Sequence, residues 1–388
     1  MLSIAVFSEC YHPMHNGVVV SVDSFTRVLT EMGHHVTIFT ARHPDQDPLD
    51  DVAQSVIRFP SVTFPNKLRY PLAIPVATGK GRKMLEEQHF DLIHSHSPML
   101  IGHVAVHYQR RRNLPLVFTY HTLIEEYTHY VPLPQPWVRR RAIRLSRNYS
   151  NSADHIITPT EHVASRLRRY RVTQPITVIP TGIDIDLMDQ VPQCDMRQKY
   201  GIPAAVPLLA YAGRLAKEKN IPRVLSAFRL VLNQEPDAHL LLIGGGPYDA
   251  VIRELLFQFG VGHRTHMTGF VSREEVTQCL RAADLFVFAS ETETQGLVLG
   301  EAMACGIPVV AVAADATREL ITSNNEGLLV PDADGPFAEA VLTLIRQDQS
   351  RQEMGHAARA RAESISAHRC TERLVQIYDK VLREYDTR

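Results

Sequence analysis

Three short segments of this chain combine residue types that bind phosphate and hydroxyl groups. The first is the loop 12–17, which ends in Asn16-Gly17 and lies between a predicted strand and a predicted helix. Gly17 allows the backbone to approach a ligand closely, and a helix N-terminus supplies free amides and a favourable dipole for phosphate. Glycines in such turns are more often purely structural, so this loop alone does not establish a site.

The second segment, 213–220, follows a predicted strand of the C-terminal half. Arg214 and Lys219 stand beyond the end of that strand and before a helix, where two cations can neutralise a diphosphate. A solvated basic turn explains the same residues equally well. Spacing within the segment does not separate the two interpretations.

The third segment contains two carboxylates eight residues apart, Glu293 in a loop and Glu301 on the helix that follows. Carboxylates accept hydrogen bonds from hydroxyl groups, so each of them could hold a sugar diol. One capping acid and one exposed helical acid is the commoner explanation of such a pair. The backbone amides that would face a phosphate at this helix start belong to Thr294, Gln295, Gly296 and Leu297.

The elements that must position these segments alternate between strands and helices. After the first strand, Val22, Phe25, Leu29 and Met32 form one apolar helical stripe, and Gly33 stands where that helix should stop. The repeated order of strand, helix and strand predicts parallel sheets. The predicted strands are 2–8, 36–40, 91–96, 116–121, 155–158, 208–212, 239–243, 266–270, 284–289 and 307–312.

Two helix starts in the C-terminal half carry capping signals. Asn220 is followed by Pro222 near the first turn of a predicted helix, and residues 272–275 have the pattern of a capping box. We therefore expect the Asn220 and Ser272 side chains to cap the helices that follow them.

A chain of 388 residues is long for one core, and 45% hydrophobic with 21% charged residues fits two α/β domains. We predict an N-terminal domain 1–180, a C-terminal domain 181–365, and a last helix within 366–388 that returns to the first domain. The five cysteines form no CxxC pair, which favours reduced thiols in a cytosolic compartment. Because no long apolar stretch or signal-peptide pattern is present, we expect no membrane span.

Positive charge is concentrated in the N-terminal half. Residues 1–180 carry 20 Lys/Arg and 14 Asp/Glu, and within 60–180 the counts are 17 and 7. A helix predicted there is amphipathic: one face is apolar, and the opposite face carries Arg140, Arg144 and Arg147. Such a row would attract anionic lipid headgroups, although a solvated basic face fits it too. Nucleic acid is disfavoured, because no binding module or interleaved aromatic residues accompany the arginines.

Taken together, the segments resemble glycosyltransferase family 4, and the resemblance covers nearly the whole chain. Within that family, residues 119–130 and 159–161 are similar to bacterial diacylglycerol glucosyltransferases and related lipid glycosyltransferases. One departure is Asn16-Gly17, where many relatives have Gly-Gly. The family implies the GT-B fold, an α/β architecture with two Rossmann-like domains facing across a cleft. The other matching motifs are 179–184, 213–219, 244–247 and 293–309.

The resemblance also implies roles for individual residues. Arg214 and Lys219 would hold the donor diphosphate, while Glu293 would bind hydroxyls of the transferred sugar and Glu301 the ribose diol. His121 would lie near the sugar and the acceptor; a histidine at a strand end is more often structural, but its Thr-Tyr-His-Thr context favours function. The candidate catalytic residues are His121, Arg214, Lys219 and Glu293. Further donor-binding residues would be Gly17, Gly269, Thr294, Gln295, Gly296 and Leu297, and the acceptor and membrane side would include Glu125, Tyr127, Arg140, Arg144 and Arg147.

The reaction implied by the family retains the anomeric configuration, by a same-face displacement in which the donor phosphate helps to deprotonate the acceptor. We expect no cofactor and no metal in the chemical step. The histidines, including His94-Ser-His96, lack acidic or cysteine partners at ligand spacing. Asp184-Ile185-Asp186 imitates the metal-binding DxD of another transferase fold, but we interpret it as a turn and cap.

The leading hypothesis is transfer of a hexose, glucose from UDP-glucose, to a membrane lipid such as diacylglycerol. The enzyme would then sit peripherally on the cytoplasmic face of the membrane. A mannosyl- or other hexosyltransferase acting on phosphatidylinositol, a glycolipid or a polysaccharide precursor is the alternative. A nucleotide-sugar epimerase and a non-catalytic nucleotide-sugar sensor remain as alternatives of other classes.

Overall fold

A computed structural model describes residues 1–14, 16–45, 55–63, 71–74, 85–126, 128 and 133–387. The chain divides into two units, Met1–Gly182 together with Ala367–Arg388, and Ile183–Ser366. The first passage from one unit to the other thus follows Gly182, where the sequence predicts a boundary near residue 180. Each unit has its own sheet.

Seven strands of the first unit form one parallel sheet in the order β3-β2-β1-β6-β7-β8-β9, and β4 pairs antiparallel with β5. All residues of β6, β7 and β8 are buried, as expected for a parallel sheet that is covered on both faces. The strands are β1 (Ser3–Phe7), β2 (His35–Ala41), β3 (Val56–Phe59), β4 (Ser61–Thr63), β5 (Pro71–Ala73), β6 (Leu92–Ser95), β7 (Leu116–Thr119), β8 (His155–Thr158) and β9 (Ile176–Val178).

Helices cover this sheet and a short 3-10 turn follows β7. The turn is Ile124–Glu126. The helices are α1 (Gly17–Glu31), α2 (Leu100–Arg112), α3 (Gln135–Ser150) and α4 (Glu161–Arg169).

The sheet of the second unit has six parallel strands in the order β12-β11-β10-β13-β14-β15. The strands are β10 (Leu208–Ala212), β11 (His239–Ile243), β12 (Thr265–Met267), β13 (Leu285–Phe288), β14 (Val309–Val312) and β15 (Leu328–Val330). The helices are α5 (Ile185–Gln190), α6 (Met196–Lys199), α7 (Ile221–Leu232), α8 (Asp249–Gln258), α9 (Arg273–Ala282), α10 (Leu297–Ala304), α11 (Asp315–Leu320), α12 (Asp334–Arg346) and α13 (Asp348–Ser364).

The last helix, α14 (Ala367–Asp386), belongs to the first unit. Its Tyr378 hydroxyl lies 2.6 Å from Nδ1 of His94 on β6, and Arg373 donates to the carbonyl of Val178 at 2.6 Å. Tyr378 is fully buried, so the helix contributes to the core of that unit. Among the residues that the structure describes, no helix is both long and apolar enough to cross a membrane.

The predicted strands 155–158, 208–212 and 239–243 match the observed bounds of β8, β10 and β11. Two others end two or three residues before their predicted ends. β7 stops at Thr119 rather than at His121, and β12 stops at Met267 rather than at Phe270. His121 therefore lies in the loop after β7. The short strands β3, β9 and β15 were not predicted, because three or four residues show no complete hydrophobic period.

The capping predictions are only partly correct. Asn220 has a φ of +49° and makes no side-chain cap bond. Its side-chain nitrogen Nδ2 donates to Oδ1 of Asp332 at 3.2 Å instead. Ser272 does cap α9, since its hydroxyl accepts from the amide of Glu275 at 3.1 Å. The Glu275 carboxylate accepts from Lys199, so only the serine half of the capping box forms.

Candidate active site

Four loops of the second unit leave the sheet at its carboxyl edge, after β10, β11, β12 and β13. The Gly213 amide donates to the carbonyl of Ile243 at 2.9 Å, which ties the first loop to the second. The Gly244 amide donates to Oγ1 of Thr268 at 3.1 Å, and Gly244 forms an isolated bridge with Gly269. Ligands of open parallel sheets bind at this edge, so these connections define one candidate site.

The loop after β11 contains glycines that no other residue could replace without movement. Gly244 has a φ of +122°, and a Cβ there would lie 2.3 Å from the carbonyl oxygen of Gly213. A Cβ on Gly246 would lie 2.2 Å from the carbonyl oxygen of Leu215. Backbone and not side-chain atoms are the obstacles, so the close approach of the two loops requires glycine.

Replacing Gly244 with alanine should therefore reduce activity by about tenfold or more, because the Gly213–Arg214 backbone must shift. Activity measured at several ligand concentrations, with the circular dichroism spectrum and melting temperature, would test this. The matched control is Gly335→Ala on α12, where a Cβ would meet nothing within 4 Å. Equal losses in both variants would contradict a local effect at the loop.

Lys219 and Glu293 are 74 positions apart in the chain and form an ion pair, Nζ to Oε1. Their side chains are 19% and 16% exposed, so the pair is largely withdrawn from water. The 3-10 turn that carries Lys219 is also tied to the loop after β13, because the Ser290 hydroxyl donates to the carbonyl of Glu218 at 3.2 Å. The structure thus brings together two of the predicted site residues.

Arg214 joins this group through a second ion pair. Its Nη2 donates to Oε1 of Glu218, a side chain that is only 8% exposed while that of Arg214 is 41% exposed. A buried carboxylate therefore anchors an accessible guanidinium beside the glycine loop. Glu218 was not among the residues predicted from the sequence, although it stands between Lys217 and Lys219.

Glu301 lies one helical turn inside α10, and its nearest ionic partner is Arg273 at 3.6 Å. Burial raises the pKa of Glu301 above its usual value, against the opposing influence of Arg273. Arg273 is the first residue of α9, which follows the loop after β12. The pair therefore connects a third loop region to the site. Arg273 was also missed in the sequence.

The N-terminus of α10 lies in the same loop group. Gly296 precedes it with a φ of +79° and provides no side-chain cap, and the position of a Cβ there lies 3.9 Å from Cγ of Glu293. Gln295 is buried and Thr294 and Leu297 are half-buried. These predicted donor-binding residues therefore surround Glu293 at a helix start.

The loop at Gly17 differs from its prediction. Asn16 is the N-cap of α1, and its Oδ1 accepts from the amides of Val18 and Val19, each at 3.0 Å. Those two amides were expected to be free for a phosphate and are occupied by the asparagine side chain. Gly17 itself is exposed at the first position of the helix.

His121 of the first unit lies two residues beyond β7. Its Nε2 is 2.9 Å from Nδ1 of His96, and the two rings are stacked with centroids 5.1 Å apart. Burial lowers the pKa of His121 to about 4, so the imidazole is neutral at physiological pH. In the described parts of the chain, no three His, Cys, Asp or Glu side chains are grouped so that they could hold a metal ion.

The predicted acceptor residue Glu125 is an interior group. It is 4% exposed, and its Oε1 accepts from the hydroxyl of Tyr170 on the loop after α4. In the structure this carboxylate thus faces the interior, and a role for Glu125 on the acceptor side stays a prediction. The sequence pattern did not reveal this, because the partner is 45 positions away. Tyr127 lies outside the described residues.

Helix α3 carries the predicted arginine row. Arg140 and Arg144 are exposed, whereas Arg147 is half-buried with its guanidinium 3.4 Å from Oδ1 of Asn148. At the start of the helix, Trp137 is 52% exposed and the Arg141 guanidinium lies 5.0 Å from its ring centroid. The sequence analysis did not single out this exposed tryptophan. Because the chain has a single tryptophan and it lies next to arginines, the sequence offered a signal for it.

Two family models match the chain, one for each half. Residues 15–187 match the model described as Glycosyltransferase Family 4, and residues 193–361 match that of Glycosyl transferases group 1. The chain belongs to glycosyltransferase family 4. The protein is accordingly a glycosyltransferase, and the loops after β10 to β13 lie in the half matched by the second model.

Curated relatives match over most of their length. The chain is 29% identical to an alpha-monoglucosyldiacylglycerol synthase of Streptococcus pneumoniae, over 97% of this chain and 85% of the relative. It is 27% identical to the synthase of the same name from Acholeplasma laidlawii, over 84% of each chain. A GDP-mannose-dependent alpha-mannosyltransferase of Mycobacterium tuberculosis is 27% identical over 89% of each chain.

Solved structures show the fold of this glycosyltransferase. Sucrose-phosphate synthase from Thermosynechococcus elongatus has a TM-score of 0.77 at 22% identity, covering 99% of this chain and all of that one. HepE from Anabaena, solved with UDP and glucose, has a TM-score of 0.76 at 20% identity, covering 98% of this chain and all of that one. The predicted GT-B fold with two Rossmann-like units is thereby confirmed.

Proposed function

We propose that this glycosyltransferase is a retaining hexosyltransferase that moves glucose from UDP-glucose to a membrane lipid such as diacylglycerol. The observation that carries the proposal is the Lys219–Glu293 pair beside the glycine loops of the second unit. A cation for the diphosphate and a carboxylate for sugar hydroxyls stand there side by side. Relatives named alpha-monoglucosyldiacylglycerol synthases, and the UDP and glucose bound to HepE, support this choice of donor and acceptor.

The donor side of the mechanism depends on charge. Breaking the bond between sugar and phosphate leaves negative charge on the departing UDP, which Arg214 and Lys219 would stabilise. Preorganised groups of this kind stabilise a transition state by about 3 kcal/mol each. Before the donor binds, Glu218 and Glu293 pair with these two cations.

Glu293 would then exchange partners when the donor arrives. Its carboxylate can accept hydrogen bonds from the hydroxyls of the hexose, while Lys219 turns its ammonium to the diphosphate. Glu301 would accept from the ribose diol, with Arg273 at 3.6 Å balancing its charge. The amides that begin α10, after Gly296, would face the phosphate.

Retention of configuration is proposed to follow from attack on the face that the leaving group departs from. The acceptor oxygen forms the new bond to the anomeric carbon as the bond to the UDP oxygen breaks. The acceptor proton passes to a phosphate oxygen of the departing UDP. No protein nucleophile takes part in this route.

Activity should persist without divalent metal. We expect EDTA to change the rate of glucose transfer by less than about twofold, because Arg214 and Lys219 would neutralise the diphosphate. The measurement is glycolipid formation in EDTA and after Mg²⁺ or Mn²⁺ is added back. A strict requirement for Mn²⁺ at saturating donor would contradict this mechanism.

Helix α3 would attach the enzyme to the cytoplasmic surface of a membrane, where the lipid acceptor lies. Arg140 and Arg144 are exposed, and Trp137 offers an amphipathic ring of the kind that is enriched at membrane interfaces. Basic residues near an anionic surface each contribute about 1 kcal/mol to binding. We therefore propose peripheral attachment by charge and a shallow aromatic contact.

Replacing both arginines, as Arg140→Gln/Arg144→Gln, should weaken binding to phosphatidylglycerol vesicles by about 2 kcal/mol, roughly thirtyfold. Sedimentation with vesicles of increasing anionic content would measure this. The double variant Arg253→Gln/Arg318→Gln removes two exposed arginines of the second unit and is the matched control. Equal loss in both variants would indicate that only net charge matters, and no loss would remove α3 from the membrane surface.

Turnover with a substrate panel tests the proposed function as a whole. The protein is incubated with UDP-glucose, other UDP-hexoses and GDP-mannose, and with vesicles that contain or lack diacylglycerol, while glycolipid and free nucleotide are measured. Glucosyl-diacylglycerol formed only from UDP-glucose supports the proposal. Other outcomes would contradict it. Mannose transfer would indicate a mannosyltransferase, interconversion of nucleotide-sugars without acceptor an epimerase, and binding without turnover a non-catalytic sensor.

A further inference from the structure

A row of buried aromatic groups runs from the C-terminal helix to His121 inside the first unit. The Tyr378 hydroxyl lies 2.6 Å from Nδ1 of His94, and Nε2 of His94 lies 2.7 Å from Oγ1 of Thr119. The His94 and His96 rings are 4.2 Å apart, and Nδ1 of His96 is 2.9 Å from Nε2 of His121. Hydrogen bonds with Tyr378 and Thr119 thus hold the His94 ring, which packs against the His96 ring that contacts His121.

His96 and His121 are both neutral. Burial, with smaller effects from His94 and His121, lowers the pKa of His96 well below its usual value, and burial also lowers that of His121. A neutral imidazole carries one proton, on either Nδ1 or Nε2. The hydrogen bond between the two rings therefore has two arrangements, which differ in which ring donates.

The two arrangements differ in what they leave buried. If His121 donates, then His96 carries its proton on Nε2, a buried atom that has no hydrogen-bond partner among the residues the structure describes. If His96 donates, that same atom is a bare nitrogen. Among backbone groups, buried N–H donors without an acceptor are rarer than under-satisfied carbonyls, and we apply the same preference to the imidazole, which favours donation by His96.

Building on the proposed function, we propose that His96 is a positioning residue that donates from Nδ1 to Nε2 of His121 and so holds the His121 proton on Nδ1. That nitrogen makes no hydrogen bond with any residue the structure describes, and His121 as a residue is half-buried. His121 then offers an N–H to an acceptor oxygen of a bound ligand. It acts as a hydrogen-bond donor and does not take the acceptor proton at that atom.

The consequence for the reaction is a division of roles. His121 would orient or stabilise oxygen atoms that carry partial negative charge, while the departing phosphate takes the proton from the acceptor. A partner such as aspartate at position 96 would favour the opposite tautomer, because a carboxylate only accepts. The identity of residue 96 therefore determines whether His121 can donate to the substrate.

Nitrogen NMR of the full-length protein, labelled with ¹⁵N-histidine, tests the tautomer directly. A His121→Gln variant assigns the two His121 signals by their loss. We expect Nδ1 of His121 to be protonated and Nε2 to be bare in the wild-type protein. Protonation at Nε2 would overturn the proposal. The spectrum is measured without turnover. Its result therefore tests the tautomer independently of the proposed lipid glucosylation.

Two variants at position 96 test the positioning role. In His96→Leu the His121 spectrum should show the Nε2–H form, and kcat for UDP-glucose and diacylglycerol vesicles should fall about tenfold to a hundredfold, with KM much less changed. His96→Asn keeps an N–H near the same place and should restore most of the spectrum and of kcat. A leucine variant with unchanged kcat and spectrum would overturn the role, and if neither variant folds the wild-type spectrum still decides the tautomer.

Discussion

Replacing Lys219 with alanine should reduce kcat/KM for the donor about a hundredfold, because in the proposed mechanism the charge that develops on the departing UDP would lose one of its two cations. Removing one preorganised group of this kind costs about 3 kcal/mol. The loss should appear mainly in kcat, since the interaction strengthens as the sugar–phosphate bond breaks. Steady-state kinetics with UDP-glucose and diacylglycerol vesicles measure it.

The control for this variant lies in the same 3-10 turn. Lys217 is exposed and carries the same charge, so Lys217→Ala removes one cation from the same stretch of chain without touching Glu293. We expect little change in kcat/KM for Lys217→Ala. Similar losses in both variants would mean that the turn acts through its overall charge, and a fully active Lys219→Ala would remove Lys219 from the mechanism.

Glu293→Gln should also lower kcat about a hundredfold, because hydrogen bonds to a charged acceptor contribute up to about 3 kcal/mol. The change preserves the shape of the side chain and one acceptor oxygen while it removes the charge. Glu291→Gln is the matched control, since Glu291 is exposed in the same loop. Kinetics with a series of deoxy-sugar donors would show which hydroxyl Glu293 binds.

The two variants should not be additive. Lys219 and Glu293 are in contact, so removing either one disturbs the other, and the double variant should lose less than the product of the single losses. Strict additivity would indicate that the ion pair is an incidental contact. Coupling would indicate that the pair acts as one unit in donor binding.

The parallel architecture could be predicted from the sequence, because buried parallel strands such as β10 and β11 are continuous apolar runs. The site residues were predicted as members of separate segments. Their contacts could not be predicted. Lys219 and Glu293 are 74 positions apart and meet only because β10 and β13 are neighbours in the sheet. The sequence contains no local signal for that pairing.

The polar contacts that were not expected have the same origin. Local patterns do not show which side chain will satisfy a given polar group. Asn16 was read as part of a ligand loop, but its carboxamide occupies the amides at the start of α1. Glu125 was placed on the acceptor side, but the Tyr170 hydroxyl donates to it in the interior. Such choices depend on three-dimensional neighbours, which a single sequence leaves open.

The membership of α14 in the first unit has a consequence for biosynthesis. The second unit is a continuous stretch, Ile183–Ser366, inserted between two parts of the first. A ribosome therefore releases all of the inserted unit before it releases Tyr378, the residue that closes the histidine row at His94. The inserted unit can fold while the chain is still being made, whereas the core around His121 must wait for the final helix.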